Sequence, residues 1–244
     1  MPLPAGSYGR YAAADKECIL EQLKEWVITL QLEPGEKISD LEIAEYFHTG
    51  RTPIREVLKR LEQQKLICTV PGRATTVAPI EPDRVEELYA PMCMLQCLAA
   101  RKAAERAQNE DVEKLIEVNE EFYVRMLQRG DDAYPVLMGD RQFHDLVVKM
   151  SGNEYIRDLC ETLWTHIARL DYLYFRDAEI LRGSYDEHME LIHALRLRDP
   201  YGAEIAMKKN WENSMLGLLG LILEEPDRTG WVQKTNAIWK RSSN

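Results

Sequence analysis

Asp140 and His144 stand four residues apart in "DRQFHDL", so on a helix they lie one above the other and aim at one point. His188, in "YDEHMELIHAL", follows about two helices later, and Asn210, in "AMKKNWE", lies 22 residues beyond it. A carboxylate and two imidazoles are donors that suit a divalent ion. A lone histidine on an amphipathic helix is more often a hydrogen-bonded core residue, so the signal rests on the D-x-x-x-H pair joined by a further histidine. His193 is five residues past His188, about 140° around a helix, and cannot share its site. It reads as surface or packing. His166, in "LWTHIARL", could line the same cavity, and Trp26, Trp164 and Trp211 read as core.

A second chemistry is electrostatic. The chain carries 31 Lys and Arg against 41 Asp and Glu, a formal charge of −10. Between Arg51 and Arg73 the balance reverses, with six cations against two anions. Arg51, Arg55 and Lys59 stand at i, i+4 and i+8, one stripe opposite Ile54, Val57, Leu58 and Leu61. A basic stripe alone is commonly a solvated helix face. This one lies on the second helix of a helix-turn-helix, the element that enters a major groove. The helix opens with "TGRT", whose hydroxyls and free N–H groups suit phosphate. Arg73 falls at the tip of a predicted wing, where a backbone or minor-groove contact is expected. An acidic protein is repelled by nucleic acid except where its charge is locally reversed, so the stripe reads as a face for double-stranded DNA.

The elements that must position these groups fall into two halves. Ile19, Leu23, Trp26, Val27 and Leu30 recur at helical spacing until "EPGE" (33–36) stops them. Ser39 followed by Glu42 is a capping box, which predicts a short helix from about Asp40 to Phe47. "HTG" breaks it. A third helix begins near Thr49 or Thr52, either of which can serve as N-cap, tolerates Pro53 in its first turn and ends around Gln64. "LICTV" (66–70) and "ATTVA" (74–78) flank "PGR" as a hairpin. That order is a winged helix-turn-helix, assigned to residues 10–79. After the Pro-rich hinge "PIEPDR", helices are predicted at about 83–106, 110–129, 132–151, 153–176, 178–198 and 200–224. The fold class is mainly α, with a small β-hairpin wing and a C-terminal all-α bundle of six to seven helices over residues 80–226. Residues 227–244 have weak periodicity and read as a loosely packed tail.

The acid is concentrated in the second half, where residues 81–244 hold 21 cations and 30 anions. Hydrophobic residues make up 45% of the chain, ample for a core. No apolar signal segment precedes Arg10, and the longest apolar run, "LGLLGLIL" (216–223), is about half a membrane span, so no membrane association is expected. Cysteines at 18, 68, 93, 97 and 160 form no C-x-x-C pair, which suits a reducing cytoplasm. Cys93 and Cys97 share a helix face and read as small core residues.

The stretch "LEPGEKISDLEIAEYFHTGRTPIREVLKRLEQQKLICTVPGRATTVAPI" resembles the DNA-binding domain of GntR-family transcription regulators, most closely over "RTPIREVLKRLE". The resemblance implies that Arg51 and Arg55 read and clamp the operator, that Thr52 binds phosphate, and that Gly72 and Arg73 form the wing tip. Gly50 stands where the family carries a serine. The second half resembles the FCD effector-binding domain of the FadR subfamily, in which a D-x-x-F-H motif, an E-H histidine and a final histidine coordinate a divalent metal, with a small carboxylate effector completing the shell. Asp140, His144 and His188 match that set; Asn210 takes the place of the final histidine. Met92 and Gln96 replace the arginine and glutamate of the family's R-x-x-L-E signature on the first effector-domain helix.

The implied protein is a cytoplasmic homodimer that binds a palindromic operator and responds to a small-molecule effector, with zinc, nickel or manganese in its helical half. Dimerisation also follows from geometry, because one small recognition helix buries too little for specific affinity. Metal affinity is expected to fall below about pH 6.5, the unperturbed histidine value. Two rival readings remain open. A metal-dependent hydrolase on Asp140, His144 and His188 leaves the winged helix unexplained and lacks the adjacent base of H-E-x-x-H. A metal-free lipid sensor would use Met92, Met94, Leu95 and Leu98 as a greasy pocket.

Overall fold

A computed structural model describes residues 15–69, 74–80, 84–128, 130, 132–175 and 178–224. Two compact units divide between Glu81 and Pro82. The 227–244 tail lies outside the described residues, as do Gly72 and Arg73 at the expected wing tip.

In the first unit, α1 (Lys16–Ile28) begins at Asp15, whose side chain accepts from the Cys18 N–H at 2.8 Å. The helix stops before the Pro-Gly turn, because Leu30 adopts a left-handed φ of 60°. That conformation costs a non-glycine residue about 1–2 kcal/mol, which burial of the Leu30 side chain offsets. Gly35, at φ 78°, then turns the chain toward α2 (Asp40–Tyr46). The Ser39 hydroxyl caps α2 as the sequence predicts, accepting from the Glu42 N–H at 3.3 Å.

The link to α3 (Arg51–Gln63) differs from expectation. His48 takes the left-handed turn at φ 50°, and Gly50 is the N-cap in place of Thr49 or Thr52. Gly50 supplies no side-chain hydrogen bond, so no side chain caps the first N–H groups of α3. Ile54, Val57 and Leu61 turn inward against Leu20, Leu23 and Ile43, and Trp26 packs on Tyr46 and Phe47 with ring centroids 5.2 and 5.8 Å away. Strands β1 (Ile67–Thr69) and β2 (Thr75–Val77) pair antiparallel with Ile67 opposite Val77. Hydrogen bonds from Ile38 N–H to Thr75 O (2.8 Å) and from Val77 N–H to Glu36 O (2.9 Å) tie the base of this wing to the segment that leads into α2.

The second unit holds six helices among the described residues: α4 (Val85–Arg106), α5 (Asn109–Gln128), α6 (Tyr134–Met150), α7 (Glu154–Tyr174), α8 (Ala178–Arg196) and α9 (Pro200–Glu224). Asn153 caps α7, accepting from two N–H groups, and Gly152 (φ 65°) makes the turn before it. Apolar side chains such as Phe122, Phe143, Val147 and Leu195 fill the middle of the bundle. Polar ones are buried with them: Gln96, Asn119, His144, Asp171, Glu187, His188 and Asn210 are all at most 9% exposed. Asn119, Asp171, Glu187 and Asn210 find hydrogen-bond partners inside the bundle, which avoids the roughly 1–3 kcal/mol that an unpartnered buried polar group costs. No helix among the described residues is long and apolar enough to cross a membrane.

Candidate functional site

On the first unit, Arg51, Thr52, Arg55 and Lys59 all lie on the exposed side of α3. The structure adds a residue that spacing alone does not reveal. Asp40, at the start of α2, accepts from Arg51 Nη2 at 2.9 and 3.0 Å and from Arg55 Nε at 2.8 Å. Hydrogen bonds from these two guanidinium groups hold the Asp40 carboxyl below the usual carboxylate range. One carboxylate thus parks both arginines side by side, where a phosphate or a guanine edge can replace it. Arg60 faces away toward α1 and pairs with Glu17 at 2.7 Å, so it does not extend the stripe. In sequence, Asp40 reads only as the acidic first-turn residue that any helix favours.

In the second unit, α6 and α8 bring Asp140, His144 and His188 together, with one donor atom from each lying within 4.8 Å of the others. His188 Nε2 is 3.4 Å from one Asp140 oxygen and His144 Nε2 is 3.8 Å from the other. The rings are held by packing: His188 stacks on Phe143 at 3.8 Å between centroids, and His144 lies 5.2 Å from the Trp211 ring. Asn119 of α5 fixes the His188 tautomer. Its amide nitrogen lies 3.5 Å from the Tyr185 carbonyl, which leaves Oδ1 to accept from His188 Nδ1–H at 2.9 Å. His188 Nε2 therefore carries a lone pair, and it is buried without a hydrogen-bond partner.

The electrostatics match that geometry. Burial pushes the His188 imidazole well down, and it pushes His144 down to about 4 against a hydrogen bond with Asn210. Burial, reinforced by the charges of Asp171 and Glu187, raises the Asp140 carboxyl well above its ordinary range. Asp171, to which the Tyr89 hydroxyl donates, is itself raised to about 7 by burial. Two neutral imidazoles are the form in which histidine binds a divalent cation, and the cation would relieve the orphaned lone pair and favour the ionised Asp140 carboxylate. The residues present fit such an ion. Burial moves His144 protonation down to about 4, below the 6.5 of a free histidine, and moves Asp140 protonation up.

Asn210 is buried beside this cluster, donating to Glu187 at 3.0 Å. Met92 and Gln96 are buried on α4, and Gln96 lies against Cys160 of α7 at 3.9 Å. Met94 and Leu98 are 70% and 44% exposed, so they do not line an interior greasy pocket. Trp164 is half-buried beneath the Arg141 guanidinium, 3.6 Å from its ring centroid, and is not a core residue as its apolar setting in sequence suggests. His193 is exposed, as its position around the helix predicts.

A winged helix-turn-helix followed by a helical bundle with a polar heart defines a class: a bacterial transcription regulator that couples a DNA reader to a sensor domain. The chain belongs to the GntR family of bacterial regulatory proteins, matched over residues 16–77, and carries an FCD domain over residues 87–213. It is 26% identical over 169 residues to the Nta operon transcriptional regulator of Aminobacter aminovorans, covering 69% of this chain and 77% of that protein. It is 25% identical over 232 residues to the transcriptional repressor NanR of Cronobacter sakazakii, covering 83% and 85%. The solved structure of E. coli McbR/YncC superposes with a TM-score of 0.73 at 20% identity over 85% of this chain and 98% of that one, a shared fold. The matched domains and relatives are those of transcription regulators rather than of enzymes.

Proposed function

We propose that this regulator binds a palindromic operator as a homodimer and responds to a small-molecule effector. Its DNA-binding domain spans residues 10–79, and its effector-binding and dimerisation domain spans residues 80–226. Arg55 and Arg51 leave Asp40 for base edges or phosphate, while Thr52, Lys59 and the wing residues Gly72 and Arg73 grip the backbone. Asp140, His144, His188 and Asn210 hold a divalent ion, which supplies a Lewis-acidic centre for an oxygen-bearing effector. Met92 stands where the family has an arginine, so this chain offers no guanidinium at that position for an effector carboxylate. Action on DNA places the protein in the cytoplasm.

The observation that carries the sensing half is the buried, partnerless Nε2 of His188 facing Asp140 at 3.4 Å. The observation that carries the DNA-reading half is the pair of exposed arginines on α3, bridged by one carboxylate. Selection of a random duplex library with the full chain tests the function directly. An inverted repeat is expected to be enriched, because a two-fold dimer presents two copies of α3. A pool without dyad symmetry would remove the homodimeric reading of DNA.

A further inference from the structure

Asn210 is 4% exposed on α9, and an amide in that position can present either its oxygen or its nitrogen to the cluster. The surroundings decide which. Glu187, the residue before His188 on α8, is 9% exposed and takes the Asn210 Nδ2–H at 3.0 Å on one carboxylate oxygen. Its other oxygen takes the Asn213 Nδ2–H, one turn further along α9, at 2.5 Å. A carboxylate oxygen accepts, so each amide turns its NH2 group toward Glu187, and the swapped arrangement would set oxygen against oxygen. Asn210 Oδ1 is thereby turned away from Glu187. The Asn210 side chain also lies within hydrogen-bonding reach of His144, so with its nitrogen held by Glu187 its oxygen is the atom left for the cluster.

We infer that Glu187, itself held by Asn213, is a positioning residue that locks the Asn210 amide with its oxygen toward Asp140, His144 and His188. The inference rests on the metal reading of that cluster and adds what orients its fourth donor. The donor set becomes two imidazole nitrogens, one carboxylate and one amide oxygen. Carbonyl and carboxylate oxygens suit manganese better than a third imidazole does, whereas imidazole suits zinc and nickel. Glu187 and Asn213 therefore set which ion the site prefers without touching it.

The test is calorimetric titration of the metal-stripped full chain with manganese or zinc alone, on wild type and four variants. Glu187→Ala frees the amide and is expected to weaken manganese binding by about 10–100-fold, the usual effect of losing a group that orients a ligand, and to weaken zinc less. Glu187→Gln keeps one acceptor oxygen and is expected to restore much of the loss; Asn213→Ala is expected to lower affinity in the same direction by a smaller factor. Asn210→His is expected to shift the manganese-to-zinc ratio toward zinc. The ratio, rather than stability, is the readout that a merely structural Glu187 would leave alone. If wild type binds ions and Glu187→Ala binds both as tightly, or loses both equally without rescue by glutamine, the positioning role is overturned while the metal site stands. If wild type binds neither ion, both are overturned.

Discussion

Arg55→Ala is expected to weaken operator binding by about 1–3 kcal/mol, roughly 5- to 150-fold at fixed salt, with a much smaller effect on random duplex. The side chain is 64% exposed on α3 and pairs with Asp40 at 2.8 Å across the protein surface. Exposed ion pairs contribute about 0–1 kcal/mol to stability, so the variant folds and the loss belongs to recognition. A bidentate contact to a base edge depends on the guanidinium fork, so Arg55→Lys is expected to rescue little of it. Lys59→Ala provides the contrast. A phosphate contact is expected to weaken all sequences alike and to reduce the salt slope by about one. Fluorescence anisotropy titrations with operator and scrambled duplex separate the two outcomes. Unchanged operator affinity in Arg55→Ala would show that α3 is not the reading helix.

The second large effect concerns the ion. At a hundredfold excess over Kd, a ligand confined to the folded state adds about 2.7 kcal/mol. For a domain of this size that corresponds to a rise of roughly 5–10 °C in melting midpoint, measured with added zinc, nickel or manganese. His188→Ala is expected to abolish the rise, since it removes the buried lone pair that Asn119 aims. The pH dependence follows from the two shifts. Asp140 is raised above its ordinary carboxylate range, so an ion that takes its carboxylate displaces a proton wherever the group is still protonated, and affinity climbs as pH rises. Titration in buffers of different ionisation enthalpy is expected to show proton release on binding that grows as pH falls between about 8 and 5. His144, depressed to about 4, does not compete in that range. In the ion-free protein it acts on stability instead. Its unfolded form takes a proton near 6.5 and its folded form only near 4, so folding stability falls as pH drops through that window.

Much of this was legible in the sequence because the deciding signals are local. Ser39 with Glu42 marks the start of α2, the i, i+4 step from Asp140 to His144 puts both on one face, and Arg51, Arg55 and Lys59 share a stripe in plain order. What spacing missed is what tertiary packing decides. Asn119 reaches His188 from 69 residues away, and Asn and Glu on amphipathic helices read as solvated until a neighbouring helix covers them. Glu187 looked like part of an E-H motif, not the partner of Asn210 and Asn213. Burial itself, which lowers both imidazoles and raises Asp140, leaves no trace in residue order. The N-cap of α3 failed for a local reason. Two threonines compete on paper, but a left-handed His48 shifts the helix start onto Gly50.

Occupancy of the bundle is expected to change DNA binding. This is tested most directly by titrating the selected operator with the full chain, metal-loaded and metal-stripped, at one salt concentration. Coupling between a sensor and a reader is worth about 1–3 kcal/mol, so the two midpoints are expected to differ by about 5–150-fold, and His188→Ala is expected to bring them together. Coincident midpoints for wild type, with the ion shown to be bound, would contradict the account.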